Sequence, residues 1–122
     1  TKNILLAIDE YKNGTKDIIG TKKTLTSLLS KHPKDTTVMF ALANLYYEEG
    51  EYQSATSMYK EILKNEPTNP QNLNNLANSL LRQNRASEAL IYAKKAVEIG
   101  GIYLQIYKRT KTEIEDFLKG KK

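Results

Sequence analysis

The sequence predicts an all-α protein: a right-handed superhelical stack of antiparallel helix pairs, an α-solenoid, closed by a C-terminal capping helix. Three observations carry that prediction. Leu42, Ala43, Asn44, Ala55 and Lys60 return 34 residues later as Leu76, Ala77, Asn78, Ala89 and Lys94, and Pro33 returns as Pro67. A period of that length is one helix–turn–helix unit, which cannot bury its apolar face alone and therefore stacks. Apolar residues recur at three- and four-residue steps along most of the chain, while strand-like alternation is nearly absent. Finally, small residues fall where two helices would cross, and prolines fall where a helix should stop.

Taken in order, residues 1–34 read as a degenerate helical pair. Leu5, Ile8 and Tyr11 suggest a short helix before Asn13-Gly14, and Ile18, Leu25, Leu28 and Leu29 suggest another that stops before Pro33. Gly20, Thr21 and Thr24 weaken the second one. Residues 36–69 form the clearest pair. Its first helix, capped by Asp35 or Thr36, carries the stripe Met39, Leu42, Ala43 and Tyr46, and Gly50 ends it. Its second helix carries Tyr52, Ala55, Tyr59, Ile62 and Leu63, and Pro67 stops it.

Residues 70–101 repeat the plan. Asn69 is placed to cap and Pro70 to occupy the first helical position. Leu73, Leu76, Ala77 and Leu80 face inward, Asn84 stands in for Gly50, and Ala86, Ala89, Ala93, Ala96 and Val97 form the second stripe before Gly100-Gly101. Residues 102–119 read as the capping helix, with Tyr103, Tyr107, Thr110, Ile114 and Phe117 on its covered side.

The 122 residues fit one domain spanning 1–122, long enough for a core without disulfides, and there is no cysteine to make any. No apolar run reaches the roughly 20 residues that cross a bilayer. The chain opens on Thr1 rather than Met, so a fragment or a processed chain is expected, and compartment stays open between cytoplasm and periplasm. The net charge of +5 is uneven: residues 1–34 carry seven basic and three acidic side chains, residues 35–69 two and six, and residues 70–122 ten and five. Alternating sign suits either a solvated surface or end-to-end association. The basic groups are dispersed and no basic stripe with interleaved aromatics exists, which argues against nucleic acid despite a pI near 9.3.

Catalytic chemistry is not expected. His32 is the single histidine and sits at a helix end, where a cation complements the dipole. There is no glycine-rich phosphate loop, zinc spacing or serine elbow. Glu48, Glu49 and Glu51 read as a solvated acidic turn, since calcium wants six or more oxygens. Neither cofactor nor metal is expected.

Residues 36–69 closely resemble a tetratricopeptide repeat (TPR) through Met39, Leu42, Ala43, Tyr46, Gly50, Tyr52, Ala55, Tyr59 and Pro67. Residues 70–101 resemble a second copy and depart at Asn84, Ala86, Ala93 and Gly101; residues 1–34 match weakly. The resemblance implies a protein–protein interaction module, without enzymatic activity, that holds a partner peptide segment in a concave groove lined by the first helix of each pair. The groove positions it implies are Phe40, Asn44, Tyr47 and Glu48, then Gln71, Asn74, Asn75, Asn78, Leu81 and Arg82. Phe40, Tyr47 and Leu81 would seat apolar anchors, and Arg82 would pair a carboxylate. Asn44 and Asn78 read either as ligand contacts or as helix–helix hydrogen bonds.

A chaperone-binding subclass of the family grips a C-terminal carboxylate with a clamp of cations and asparagines. Asn44, Asn75 and Arg109 match it, while Phe40 and Gln105 stand where two of its three cations should be, which argues against that activity. A self-associating assembly protein, joined as a homo-oligomer through its end faces, is the alternative, since stacking units leave uncovered ends.

Overall fold

The computed structural model describes residues 18–120. They fold into α1 (Ile18–Lys31), α2 (Thr36–Glu48), α3 (Tyr52–Leu63), α4 (Pro70–Arg82), α5 (Ala86–Ile99) and α6 (Leu104–Leu118), with no strand among the described residues. The expected helix through Leu5, Ile8 and Tyr11 lies outside them. No helix among the described residues is long and apolar enough to cross a membrane.

The helix starts follow from their caps. Asp35 Oδ1 accepts from the backbone N–H groups of Thr37 (3.0 Å) and Val38 (3.2 Å). Asn69 Oδ1 accepts from Asn72 N–H at 3.2 Å, and Pro70 fills the next position, where no amide proton is needed.

The 34-residue period extends into the turns. Gly50 N–H donates to Tyr47 O and Glu51 N–H to Tyr46 O; one period on, Asn84 N–H donates to Leu81 O and Arg85 N–H to Leu80 O, all at 2.8–3.0 Å. Closing the turn this way needs a left-handed residue. Gly50 supplies it at φ +80°, and Asn84 at φ +61° is the one non-glycine with positive φ among the described residues. Asparagine is one of the few side chains that tolerate that conformation.

Each helix packs on its neighbours in sequence, and further contacts join α2 to α4 and α4 to α6. No comparable contact joins α1 to α3 or α3 to α5. The even-numbered helices therefore form the tighter, inner layer, and the stack curves around them.

Helix α2 sits mid-stack and buries two faces. Met39 and Ala43 enter the central core with Ala55, Tyr59, Leu76 and Leu80. Val38, Leu42 and Leu45 close a second core against Leu25 of α1. The sequence stripe on α2 touches the second core through Leu42 and Tyr46 but leaves out Val38 and Leu45. A third cluster, Leu73, Ala96 and Tyr107, seats α6 on the last pair.

The expected stripe on α6 is corrected at both ends. Tyr107, Thr110 and Ile114 are buried, but Tyr103 and Phe117 are 42% and 45% exposed. Gly100 (φ +72°) and Gly101 (φ +108°) swing the chain outward, so the helix begins at Leu104 and Tyr103 stays beside the stack.

The interface of α3 with α4 carries a proton-ordered chain of polar groups. Gln83 Nε2 donates to Thr56 Oγ1 (2.7 Å), and Ser79 Oγ donates to Tyr52 O (2.8 Å). With one proton per hydroxyl, the 2.6 Å contact between Thr56 and Ser79 must run from Thr56 to Ser79. Asn72 Nδ2 adds a bond to Tyr59 O at 3.0 Å.

Ion pairs join successive helical pairs, those of Lys22 following the charge alternation along the sequence and that of Lys60 running against it. Lys22 reaches Glu49 (2.8 Å) and Glu51 (3.1 Å), and Lys60 reaches Glu88 (2.8 Å). The acidic turn is thus engaged rather than simply solvated. These pairs are partly exposed, so each contributes no more than about 1 kcal/mol.

Ala55 and Ala89 have no exposed surface. Ala89→Leu is expected to overpack its crossing and lower stability by roughly 1–3 kcal/mol, while a leucine at exposed Ser87 leaves it nearly unchanged. Urea unfolding of both variants, with coincident midpoints, would contradict the close packing assigned to the alanine.

Candidate functional site

The inner layer carries a groove made of three merging cavities of about 330, 310 and 250 Å³. The first follows α2 from Thr36 and Thr37 past Phe40, Ala41 and Leu45 to Glu48, with Thr21 and Leu25 of α1 as one wall. The second lies between α2 and α4, at Asn44, Tyr47, Asn75 and Asn78. The third opens toward α6, between Phe40, Asn74 and the side chains of Tyr103, Ile106 and Tyr107. Asn44 and Glu48 are shared by the first and second, Phe40 and Gln71 by the first and third, and Asn75 by the second and third.

Tyr59 forms the base of this groove. It rises from α3 between α2 and α4 and is almost wholly buried. Its ring meets Phe40 edge-on, with centroids 6.1 Å apart at 62°. Its hydroxyl donates to Asn44 Oδ1, which also accepts from Asn75 Nδ2 at 3.1 Å. Burial pushes the Tyr59 phenol well above its ordinary range, so it remains a protonated donor. The Asn44 carbonyl is therefore committed to a helix–helix bridge, the second of the two roles its sequence position allowed.

The other expected groove residues divide by burial. Asn78 lines the second cavity and makes no side-chain hydrogen bond among the described residues. Gln71 is exposed at the rim, and Asn74 lines the third cavity although it is only 5% exposed. Tyr47 packs edge-on against Tyr52 (5.2 Å) and accepts from Arg82 Nε at 3.3 Å. Arg82 also lies 3.7 Å from Glu113 of α6, so its guanidinium spans α2, α4 and α6.

Leu81 is a correction: it belongs to the central core and lines none of the three cavities. Helix α4 has neighbours on both sides, and the face carrying Leu81 is covered. Sequence reasoning also missed Thr21 and Leu25, Glu66 and Asn69, and the α6 wall. The exposed apolar pair Tyr103 and Ile106 was visible as a three-residue spacing, but a groove wall and a core stripe look alike in sequence.

The charges lining the groove have one sign. Glu48 and Glu66 line it, and no Lys, Arg or His does among the described residues. Burial raises the Glu48 carboxyl above its usual range. Glu66 is lowered by hydrogen bonds from Thr36 Oγ1 and Asn69 Nδ2, the latter at 2.9 Å. Arg109 is exposed on α6 and lines none of the cavities. Among the described residues no clamp for a carboxylate is assembled.

Two family models match the chain: one described as YpiA-like, tetratricopeptide repeats, over residues 23–67, and one described as tetratricopeptide repeat, over residues 47–100. The chain belongs to the tetratricopeptide repeat family. The match begins inside α1, so family signal reaches into the segment that looked degenerate. No curated protein matches this tetratricopeptide repeat chain in sequence.

In fold it is similar to the Yersinia enterocolitica type III secretion translocator chaperone SycD. The TM-score is 0.84 at 20% identity, covering 98% of this chain and 83% of SycD. It is equally similar to SycD in complex with a peptide of the translocator YopD, with a TM-score of 0.84 at 19% identity, covering 98% of this chain and 93% of that one. A mutant O-GlcNAc transferase from Thermobaculum terrenum aligns at a TM-score of 0.76 and 18% identity; 87% of this chain is covered but only 21% of the transferase. At these identities the likeness establishes the solenoid fold of the tetratricopeptide repeat chain.

The carboxyl shifts set a pH dependence. Glu66 and Glu88 hold their protons more weakly when folded, Glu88 chiefly through Lys60. The stability they add is full above the ordinary carboxylate range and drains as pH falls through and below it. Glu48, shifted upward, works in the opposite direction. Glu66→Gln and Glu88→Gln are each expected to lower stability at pH 7 by at most about 1 kcal/mol and to flatten the decline between roughly pH 5 and pH 3. Thermal melts across that range check this; an unchanged slope in both variants counts against it.

Proposed function

We propose that this chain is a non-catalytic protein-interaction module whose inner groove holds a segment of a partner protein. The continuous groove carries this reading, with Phe40 and Tyr59 at its base and unengaged amides at Asn78 and Gln71. Cavities of this size suit a few side chains at a time, with polar groups left to fix their orientation. SycD, similar in fold, is solved in complex with a peptide of YopD, which supports a peptide-binding role for this chain. The lining supports binding over catalysis: it has no histidine, and its buried phenol is held protonated.

Photo-crosslinkers placed at Gln71 or Asn78 are expected to trap a partner segment from the native source. The same group at Ser57, exposed on α3 away from the cavities, should trap little. Equal labelling from the outer position would reject the groove.

A second reading, end-to-end self-association, is favoured by α6 and the turn before it. Ile102 is 91% exposed, and Ile106, Phe117 and Leu118 are each 45% exposed. Uncovered apolar surface at the end of a solenoid invites another copy. Light scattering over a concentration series is expected to show growth in mass that Ile102→Glu and Phe117→Glu abolish. A constant monomer mass would eliminate this reading.

A further inference from the structure

The net charge of +5 favours acidic partners at the level of the whole surface. The groove reverses that sign, since Glu48 and Glu66 are its charged lining residues among those described. Both line the first cavity, at opposite ends of α2. Glu66 accepts from Thr36, the first residue of that helix, and Glu48 is the last. Thirteen residues of helix set the two ends about 18 Å apart. The hydrogen bonds to Glu66 come from neutral groups, Thr36 and Asn69, which orient its charge without cancelling it. Between the ends Phe40, Ala41, Leu45, Leu25 and Ile62 supply apolar lining, interspersed with the neutral polar groups of Thr21, Thr37, Asn44 and Gln71.

The groove also leaves polar groups without partners. Thr21 Oγ1 and Asn74 Oδ1 are buried and unbonded among the described residues; Thr21 and Asn74 line the first and third cavities at 4% and 5% exposure. Asn78 adds a free amide in the second. A helical ligand satisfies its own backbone, whereas an extended one brings N–H and C=O groups that need partners. The two buried oxygens are out of a ligand's reach, but the accessible amides of Asn78 and Gln71 suit an extended chain.

Building on the groove reading above, we propose that the occupant is an extended, cationic segment. Its apolar side chains sit on the half-buried Phe40 and Ala41, and a Lys or Arg at each end faces Glu66 and Glu48. At about 3.3 Å per extended residue, the two cations stand roughly five or six residues apart. An acidic segment, or one ending in its own carboxylate at this site, brings like charge into a partly desolvated trough and is rejected.

Selection from a random peptide library on the intact chain tests this. Captured sequences are expected to carry Lys or Arg on both sides of an apolar core and to be depleted in Asp and Glu. A captured peptide, measured by fluorescence polarisation, should lose affinity roughly two- to fivefold with Glu66→Gln and again with Glu48→Gln. Raised salt should weaken binding to the wild type more than to the double variant. Glutamine preserves size and hydrogen-bond acceptance, and melting curves check that the variants fold. Acidic or charge-free sequences whose capture is lost with Asn78→Trp, which fills the second cavity, would overturn the cationic occupant while leaving the groove reading intact. Capture of no sequence, or of sequences indifferent to Asn78→Trp, would overturn both.

Discussion

Ala43, Ala55, Ala77, Ala89, Ala93 and Ala96 have no exposed surface at all, and the whole stack depends on how little room they take. A single methyl at a crossing lets helix axes approach to about 8–9 Å, while leucine or tyrosine there would force them apart. Larger side chains fill the flanks instead: Leu76 and Leu80 from α4, Tyr59 and Ile62 from α3. With successive helices this close, the even-numbered ones touch across the stack and curvature follows. The concave side results from that packing, and it exists before any partner arrives.

Close packing also decides which polar groups are available. Tyr59 cannot fit its hydroxyl among alanines, so the group emerges at the groove base and engages Asn44. Asn44 then ties α2 to α4 through Asn75, and the pair becomes scaffold. Gln83, Thr56 and Ser79 do the same deeper in the α3–α4 interface, where each donor finds an acceptor and none is left for a ligand. One helical turn further along α4, the Asn78 amide remains free. Neighbouring asparagines of the same type thus perform different tasks, separated by their distance from one buried phenol.

Electrostatics divide along the same lines. Cations are used on the outside and at the edges, where Lys22 joins α1 to the turn after α2 and Lys60 joins α3 to α5. The groove keeps carboxylates. A chain that is basic in total therefore presents an acidic interior surface, and its net charge is a poor guide to what the concave face selects.

Much of the fold was legible because its causes are local. Asp35, Asn69 and Pro70 set helix starts within a few residues of themselves; Gly50 and Asn84 set turns by a backbone angle; the three- and four-residue spacing of Met39, Leu42 and Ala43 or Leu73, Leu76 and Ala77 marks a buried face. About the groove the sequence was a partial guide. It located Phe40, Asn75 and Asn78 on the inner helices, but it misplaced Leu81 and missed the walls from α1 and α6. Periodicity states that a face is covered without stating by what. A second covering helix buries Leu81 and Val38, and a glycine pair before α6 leaves Tyr103 outside. By itself the sequence determined the helices, their turns and the small residues that bring them together. Only the tertiary structure decided which amides are spent, which charges line the hollow and which helices wall it, because those depend on side chains that meet across tens of residues of chain.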